Sequence, residues 1–181
     1  MPPADLVAVG RVVGSHGLRG QLRVHFFGDG PETLEQVDEV WLARSPDDAD
    51  ATRYALERAR PGRPGEVRVA LEGLSRREQA DELRGRLVLA EVSSLPALPE
   101  GEHYWFEWVG CRVEGSDGQE VGRIVEIWES GAHDVLVVAS ADGRRLLLPA
   151  ARDLIREVDL EQQRIVMELV PGILSAEVPG E

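Results

Sequence analysis

Ten residues near the middle of the chain, Val92-Ser93-Ser94-Leu95-Pro96-Ala97-Leu98-Pro99-Glu100-Gly101, limit the folds open to it more than any other feature. Two prolines, two serines and a glycine so close together interrupt strand and helix alike, and they read as a linker between domains. The linker divides 181 residues into halves of similar length. Each half is the size of one small domain and must enclose its own core. The expected division is a first domain over 1–92, a linker over 93–101, a second domain over 102–174 and a tail over 175–181.

Both halves read as short strands. In the first, Leu6–Val13 is apolar and β-branched, and Gln21–Phe27 alternates with Leu22, Val24 and Phe26 on one face. Val37–Arg44, Arg53–Ala59, Glu66–Leu71 and Leu87–Glu91 follow. Ser75 with Glu78 three residues on predicts a capping box, with Ala80 and Leu83 facing the core and Gly85 ending the helix. In the second half, strands are expected at Cys111–Val113, Val121–Trp128, Asp134–Ala139, Arg144–Leu148, Ile155–Val158 and Arg164–Leu169. Gly118, Gly131 and Asp142-Gly143 supply the turns. Many short strands with glycine turns favour closed sheets, because closure removes exposed edges. The expected fold class is mainly β: two small β-barrel domains with one or two short helices.

Composition excludes several kinds of chemistry. All 20 basic residues are arginine, and lysine is absent. Walker A phosphate loops, Schiff-base enzymes and biotin or lipoyl carriers all require a lysine, so none of them applies. The single cysteine, Cys111, permits no disulfide within one chain and suits a reducing compartment. No apolar run approaches the roughly 18 residues needed to cross a bilayer. Met1-Pro2-Pro3-Ala4-Asp5 resembles no secretory leader, so a cytoplasmic location is expected.

The formal net charge is −13 and is unevenly placed. Residues 1–95 carry 13 arginines against 16 acidic groups, and residues 96–181 carry 7 against 17. A phosphate backbone is repelled by the second half and a basic partner is attracted to it, although solubility alone accounts for such a surface equally well.

Few residues suggest a reaction. Gly14, Gly17 and Gly20 lie between strands and not ahead of a helix, so no helix terminus is available to hold an anion. They are expected to take positive φ in a hairpin that presents His16 and Arg19, either as a plain solvated turn or as phosphate contacts on RNA. Arg58, Arg60 and Arg63 form a short basic stretch, with Arg76-Arg77 and Arg84-Gly85-Arg86 nearby. They either balance a carboxylate-rich surface or touch RNA phosphates. His16, His25, His103 and His133 show no metal-ligand spacing. His133-Asp134 has no nucleophile beside it, and Cys111 reads as a small buried hydrophobe. Neither a metal nor a cofactor is expected.

Tyr104-Trp105-Phe106-Glu107-Trp108 holds four of the nine aromatic residues. If extended, Tyr104, Phe106 and Trp108 share one face and Trp105 the other. One face is then expected to pack, and the second either packs too or anchors a protein partner.

Taken in order, these residues resemble the RimM family of ribosome maturation factors. Val9-Gly10-Arg11-Val12-Val13-Gly14-Ser15-His16-Gly17-Leu18-Arg19-Gly20-Gln21-Leu22-Arg23-Val24 is similar to that family's opening strand, H-G-L-x-G turn and second strand. Tyr104-Trp105, Val109-Gly110, Gly118-x-x-x-Gly122, Gly131-Ala132-His133-Asp134 and Leu147-Leu148-Pro149-Ala150 resemble its PRC barrel, as does Leu169-Val170-Pro171-Gly172-Ile173-Leu174. The resemblance implies a non-enzymatic assembly factor with a six-stranded, translation-factor-like first barrel. It further implies that the PRC barrel and tail bind the small-subunit head protein numbered nineteen, supporting head assembly and RNA processing of an immature 30S subunit. A monomer is expected. The implied partner-binding residues are Tyr104, Trp105, Phe106 and Trp108, together with His103. Here His103-Tyr104 stands where the family has Tyr-Tyr, and His133 where it has Asn. The competing readings are a direct RNA-binding module using His16, Arg19, Arg58, Arg60 and Arg63, and a flavin-dependent reductase, since similar barrels occur in such enzymes.

Overall fold

The computed structural model describes residues 5–128, 134–170 and 172, and 177–178 by their backbone. His133 and most of the segment after Val170 lie outside the described residues. The chain forms two compact units, Met1–Phe106 and Glu107–Glu181. The first extends through the expected linker, whose start at Val92–Ser94 is one turn of 3-10 helix.

In the first unit six strands close into a barrel: β1 (Leu6–His16), β2 (Gln21–Phe26), β3 (Glu39–Ala43), β4 (Thr52–Pro61), β5 (Glu66–Leu71) and β6 (Leu87–Glu91). The ladder runs β1-β2-β5-β4-β3-β6 and every pairing is antiparallel. The period-two pattern of β2 and β5 produces this directly. Leu22, Val24, Val67 and Val69 are buried, and the residues between them face outward. A 3-10 turn over Pro31–Gln36, unforeseen from the sequence, buries Leu34 and Thr33.

One helix, α1 (Arg77–Glu82), follows β5. Its start lies one residue from the expected place. Gln79, and not Glu78, closes the box, its side-chain oxygen accepting the backbone N–H of Ser75 and of Arg76 at 3.1 Å each. Gly85 takes φ +85° just past the helix, as expected of a terminating glycine. In the β1–β2 turn Gly17 and Gly20 adopt positive φ, whereas Gly14 is ordinary strand within β1.

The second unit begins with one helical turn, α2 (Trp105–Trp108, whose first two residues belong to the first unit). Its strands are β7 (Arg112–Gly115), β8 (Glu120–Trp128), β9 (Val135–Ala139), β10 (Arg145–Pro149), β11 (Ile155–Asp159), β12 (Arg164–Met167) and β13 (Glu177–Val178). They order as β11-β12-β7-β8-β9-β10-β13, with β12 parallel to β7. Six were expected at these places, and β13 was not. A single cluster built on Val113, Ile124, Leu136, Leu148, Ile165 and Met167 fills the core. Cys111 belongs to it, its thiol donating to the Glu107 carbonyl at 3.4 Å, and burial pushes that thiol's pKa up. It is the inert cysteine the sequence suggested.

The β9–β10 hairpin is fastened by Asp142. Its carboxylate accepts from the Ser140 hydroxyl at 2.5 Å and from Arg144 Nε at 2.7 Å. The Ser140 bond, then those from Arg144, hold its pKa down at about 2. A lowered folded value stabilises the fold above the ordinary 3.8, and that contribution drains away as pH falls through about 2. A carboxyl-carbon NMR titration is expected to place the midpoint there, returning toward the ordinary value in Arg144→Gln.

Candidate functional site

Strand register gathers the arginines of the first unit. Arg23 on β2 lies opposite Arg68 on β5, and Arg68 lies opposite Arg60 on β4. The buried neighbours Leu22, Val24, Val67 and Val69 turn Arg23 and Arg68 outward, and Arg60 is exposed beside the partly buried Ala59, so all three side chains leave the barrel's outer surface. Adjacent strands are about 4.8 Å apart, and like charges placed directly opposite one another are destabilising.

A bulge makes this row. The β4–β5 register shifts between Leu56 and Arg58. With Glu57 as the extra residue, the strand changes phase, so that Ala59 packs on the core while Arg58 and Arg60 face outward. Arg58 pairs with Ala70, one step along the same face.

Beside the row is an open cleft of about 480 Å³ lined by Ser15, His16, Gly17, Arg23, Gly62, Arg63, Glu66, Arg68 and Arg77. Its floor is rigid. Arg23 grips Glu66 through two bonds, 3.0 Å from Nε and 2.8 Å from Nη2. That bond holds the Glu66 carboxyl below its usual pKa, with the nearby Arg63 charge adding to the effect. Arg68 is aimed by its own backbone neighbour: Nε and Nη2 both donate to the Pro61 carbonyl, at 3.2 and 3.0 Å, while Nη1 lies 3.4 Å from His16 Nε2. Arg77 is 3.6 Å from Asp81 on α1. The cleft thus unites His16 and Arg63 from the sequence reading and leaves Arg19 on the exposed turn beside Leu18. Arg23 and Arg68, which complete it, were missed. Only their cross-strand register brings them together.

The aromatic segment differs from its expected extended form. Tyr104, Trp105 and Trp108 are all buried, and residues 105–108 coil into α2. Local packing explains it. In the first unit Trp105 stacks on Phe27 at 4.7 Å between centroids, 8° from parallel, and Tyr104 stacks on Phe106 at 5.5 Å. The Tyr104 hydroxyl donates to the Pro96 carbonyl at 2.8 Å and lies 3.1 Å from the Thr33 hydroxyl. Gly28, at φ +79°, forms a bridge with Tyr104, and a Cβ there would lie 2.7 Å from the His103 carbonyl oxygen. Only glycine fits. His103 and Phe106 remain half-buried, while Trp108 belongs to the separate core of the second unit.

Among the described residues no cluster of His, Cys, Asp or Glu could hold a metal, and no helix is long and apolar enough to cross a membrane. What the first unit presents is a row of arginines beside an open cleft on a β scaffold. Comparison with known proteins makes the class specific. Residues 7–95 match the RimM N-terminal domain and residues 105–173 the RimM PRC barrel domain. The chain is 38% identical over 171 residues to the ribosome maturation factor RimM of Symbiobacterium thermophilum, covering 94% of this chain and 95% of that one. To the protein of that name from Pelobacter propionicus it is 36% identical, with 94% and 96% covered. A crystal structure of a RimM protein from Pseudomonas aeruginosa aligns over 92% of this chain and 98% of that one, at 29% identity and a TM-score of 0.45. The chain belongs to the RimM family.

Proposed function

We propose that this protein is a maturation factor for the small ribosomal subunit, which binds a basic protein of the subunit head, the one numbered nineteen, while the head RNA folds. The observation carrying the reading is the match, along nearly the whole chain, to relatives named ribosome maturation factor. The charge supports the partner: 17 acidic groups against 7 arginines after residue 95 suit a cationic ribosomal protein and discourage indiscriminate hold on RNA by that half. Within the aromatic segment the roles divide. Tyr104, Trp105 and Trp108 keep the backbone in place, and half-buried His103 and Phe106 have surface to offer a partner. The protein acts as a cytoplasmic monomer that departs when assembly proceeds.

Two measurements test this. In a sucrose gradient of cell lysate, the protein is expected with free small subunits and absent from mature ribosomes. In calorimetry against the purified head protein, affinity is expected to fall with added salt, and His103→Ala with Phe106→Ala to weaken binding about tenfold, the loss of roughly 1.4 kcal/mol. Sedimentation only at the top of the gradient, with no heat of binding, would overturn the proposal.

A further inference from the structure

We infer that the outer face of β2, β5 and β4, with its adjoining cleft, is a site for an RNA sugar–phosphate backbone. The inference rests on the reading that the chain acts on the small subunit and adds a second, independent contact to it.

Three observations point to a polyanion. First, Arg60, Arg68 and Arg23 stand abreast on neighbouring strands, an arrangement that costs stability and contributes nothing to the core. Second, no carboxylate lies within ion-pair distance of Arg60, Arg63 or Arg68 among the described residues. Within the row only Arg23 is ion-paired, with Glu66, and in the cleft Arg77 leans on Asp81 at 3.6 Å. Third, the row lies on a chain of net charge −13, so the patch runs against the overall sign. Surface arginines that merely balance carboxylates would sit beside them, as Arg53 does beside Glu39 and Arg164 beside Glu157.

The geometry favours a backbone over a single small anion. The cleft is open, and beyond it the row continues from Arg68 on β5 to Arg60 on β4, so the cations extend along the face instead of ending at one point. Arginine forks suit successive phosphates, and their charge does not change with pH. Arg68, held by the Pro61 carbonyl, meets a phosphate with its orientation already set. Arg58, exposed on the same face, extends the track. The surrounding negative charge repels RNA from other approaches, so this face sets the orientation of the encounter.

The test is fluorescence anisotropy of the full chain with a fluorescein-labelled, mixed-sequence single-stranded RNA oligonucleotide across a salt series. Wild type is expected to bind with log K falling linearly in log salt. Arg60→Gln with Arg63→Gln is expected to lower the slope by about 1.4, at about 0.7 per released counterion on single strands. Arg60→Lys with Arg63→Lys is expected to restore it. Arg84→Gln, an exposed charge elsewhere on the same unit, is expected to change nothing. Equal slopes in wild type and the glutamine variant, or an equal loss in Arg84→Gln, would sink the inference. So would displacement of the RNA by polyglutamate as effective as by unlabelled RNA, which would mark a site for acidic peptides. Calorimetry against the head protein is expected to be unaltered by the glutamine pair. Failure of the RNA arm alone therefore leaves the proposed function standing, and failure of the head-protein arm alone leaves this site standing.

Discussion

Tyr104→Ala is expected to lower the stability of the first unit by about 3–5 kcal/mol, the range for truncating a large buried aromatic side chain. The ring is buried, contacts Phe26 edge-on at 6.3 Å between centroids and stacks on Phe106. Its removal opens a cavity and also leaves the buried Thr33 hydroxyl without this partner. Tyr104→Phe keeps the ring and forfeits only the hydroxyl bonds, so about 1–2 kcal/mol is expected. Urea unfolding followed by tryptophan fluorescence reads both, as a lower midpoint at unchanged slope. An unshifted midpoint for Tyr104→Ala would mean the stack is not structural. The result also decides how the aromatic segment can be probed. From the sequence, alanine at Tyr104 and Trp105 would be expected to spare the fold while weakening a partner contact. Burial of both side chains reverses that expectation, and His103 and Phe106 become the informative positions.

Gly122→Ala is expected to be as damaging to the second unit, at about 4 kcal/mol or more, within the severe tail of point substitutions. Gly122 sits in β8 at φ +154°, where an L side chain is strained. An added Cβ would overlap the Ala139 carbonyl oxygen and lie 2.8 Å from its carbon, and both are backbone atoms of the paired strand β9. Neither strand can retreat without giving up ladder bonds. Circular-dichroism melting of the full chain is expected to show an early transition for this variant. A melt superimposable on wild type would show that β8 can shift at little cost.

How much of this was legible beforehand follows from where each signal resides. Glu66–Leu71 and Leu87–Glu91 appear at their expected bounds, because an alternating or continuous apolar run opened by a nearby glycine leaves little freedom. The turn at Asp142-Gly143 likewise rests on local chemistry. The helix start slipped by one residue because Glu78 and Gln79 can both reach back to a free N–H, and only the geometry chooses Gln79. The segment 104–108 misled for a different reason. Aromatic residues favour strands in general, yet Phe27 and Thr33, far away in sequence, dictated a helical turn. The cleft was half readable. His16 and Arg63 fall in stretches that read as turns, although His16 closes β1, whereas Arg23 and Arg68 look like ordinary outward positions until the strands are paired. Arg58 and Arg60 read only as part of a short basic stretch, and the bulge that turns both outward shows itself once β4 is paired with β5.

That bulge gives β4 something like a reading frame. Upstream of Glu57, odd and even positions have one meaning, and downstream they exchange it. Deleting one residue there would leave the composition almost untouched and yet turn two guanidinium groups toward oil and an alanine toward water. Point substitutions along this strand should therefore be forgiven far more readily than a single lost codon.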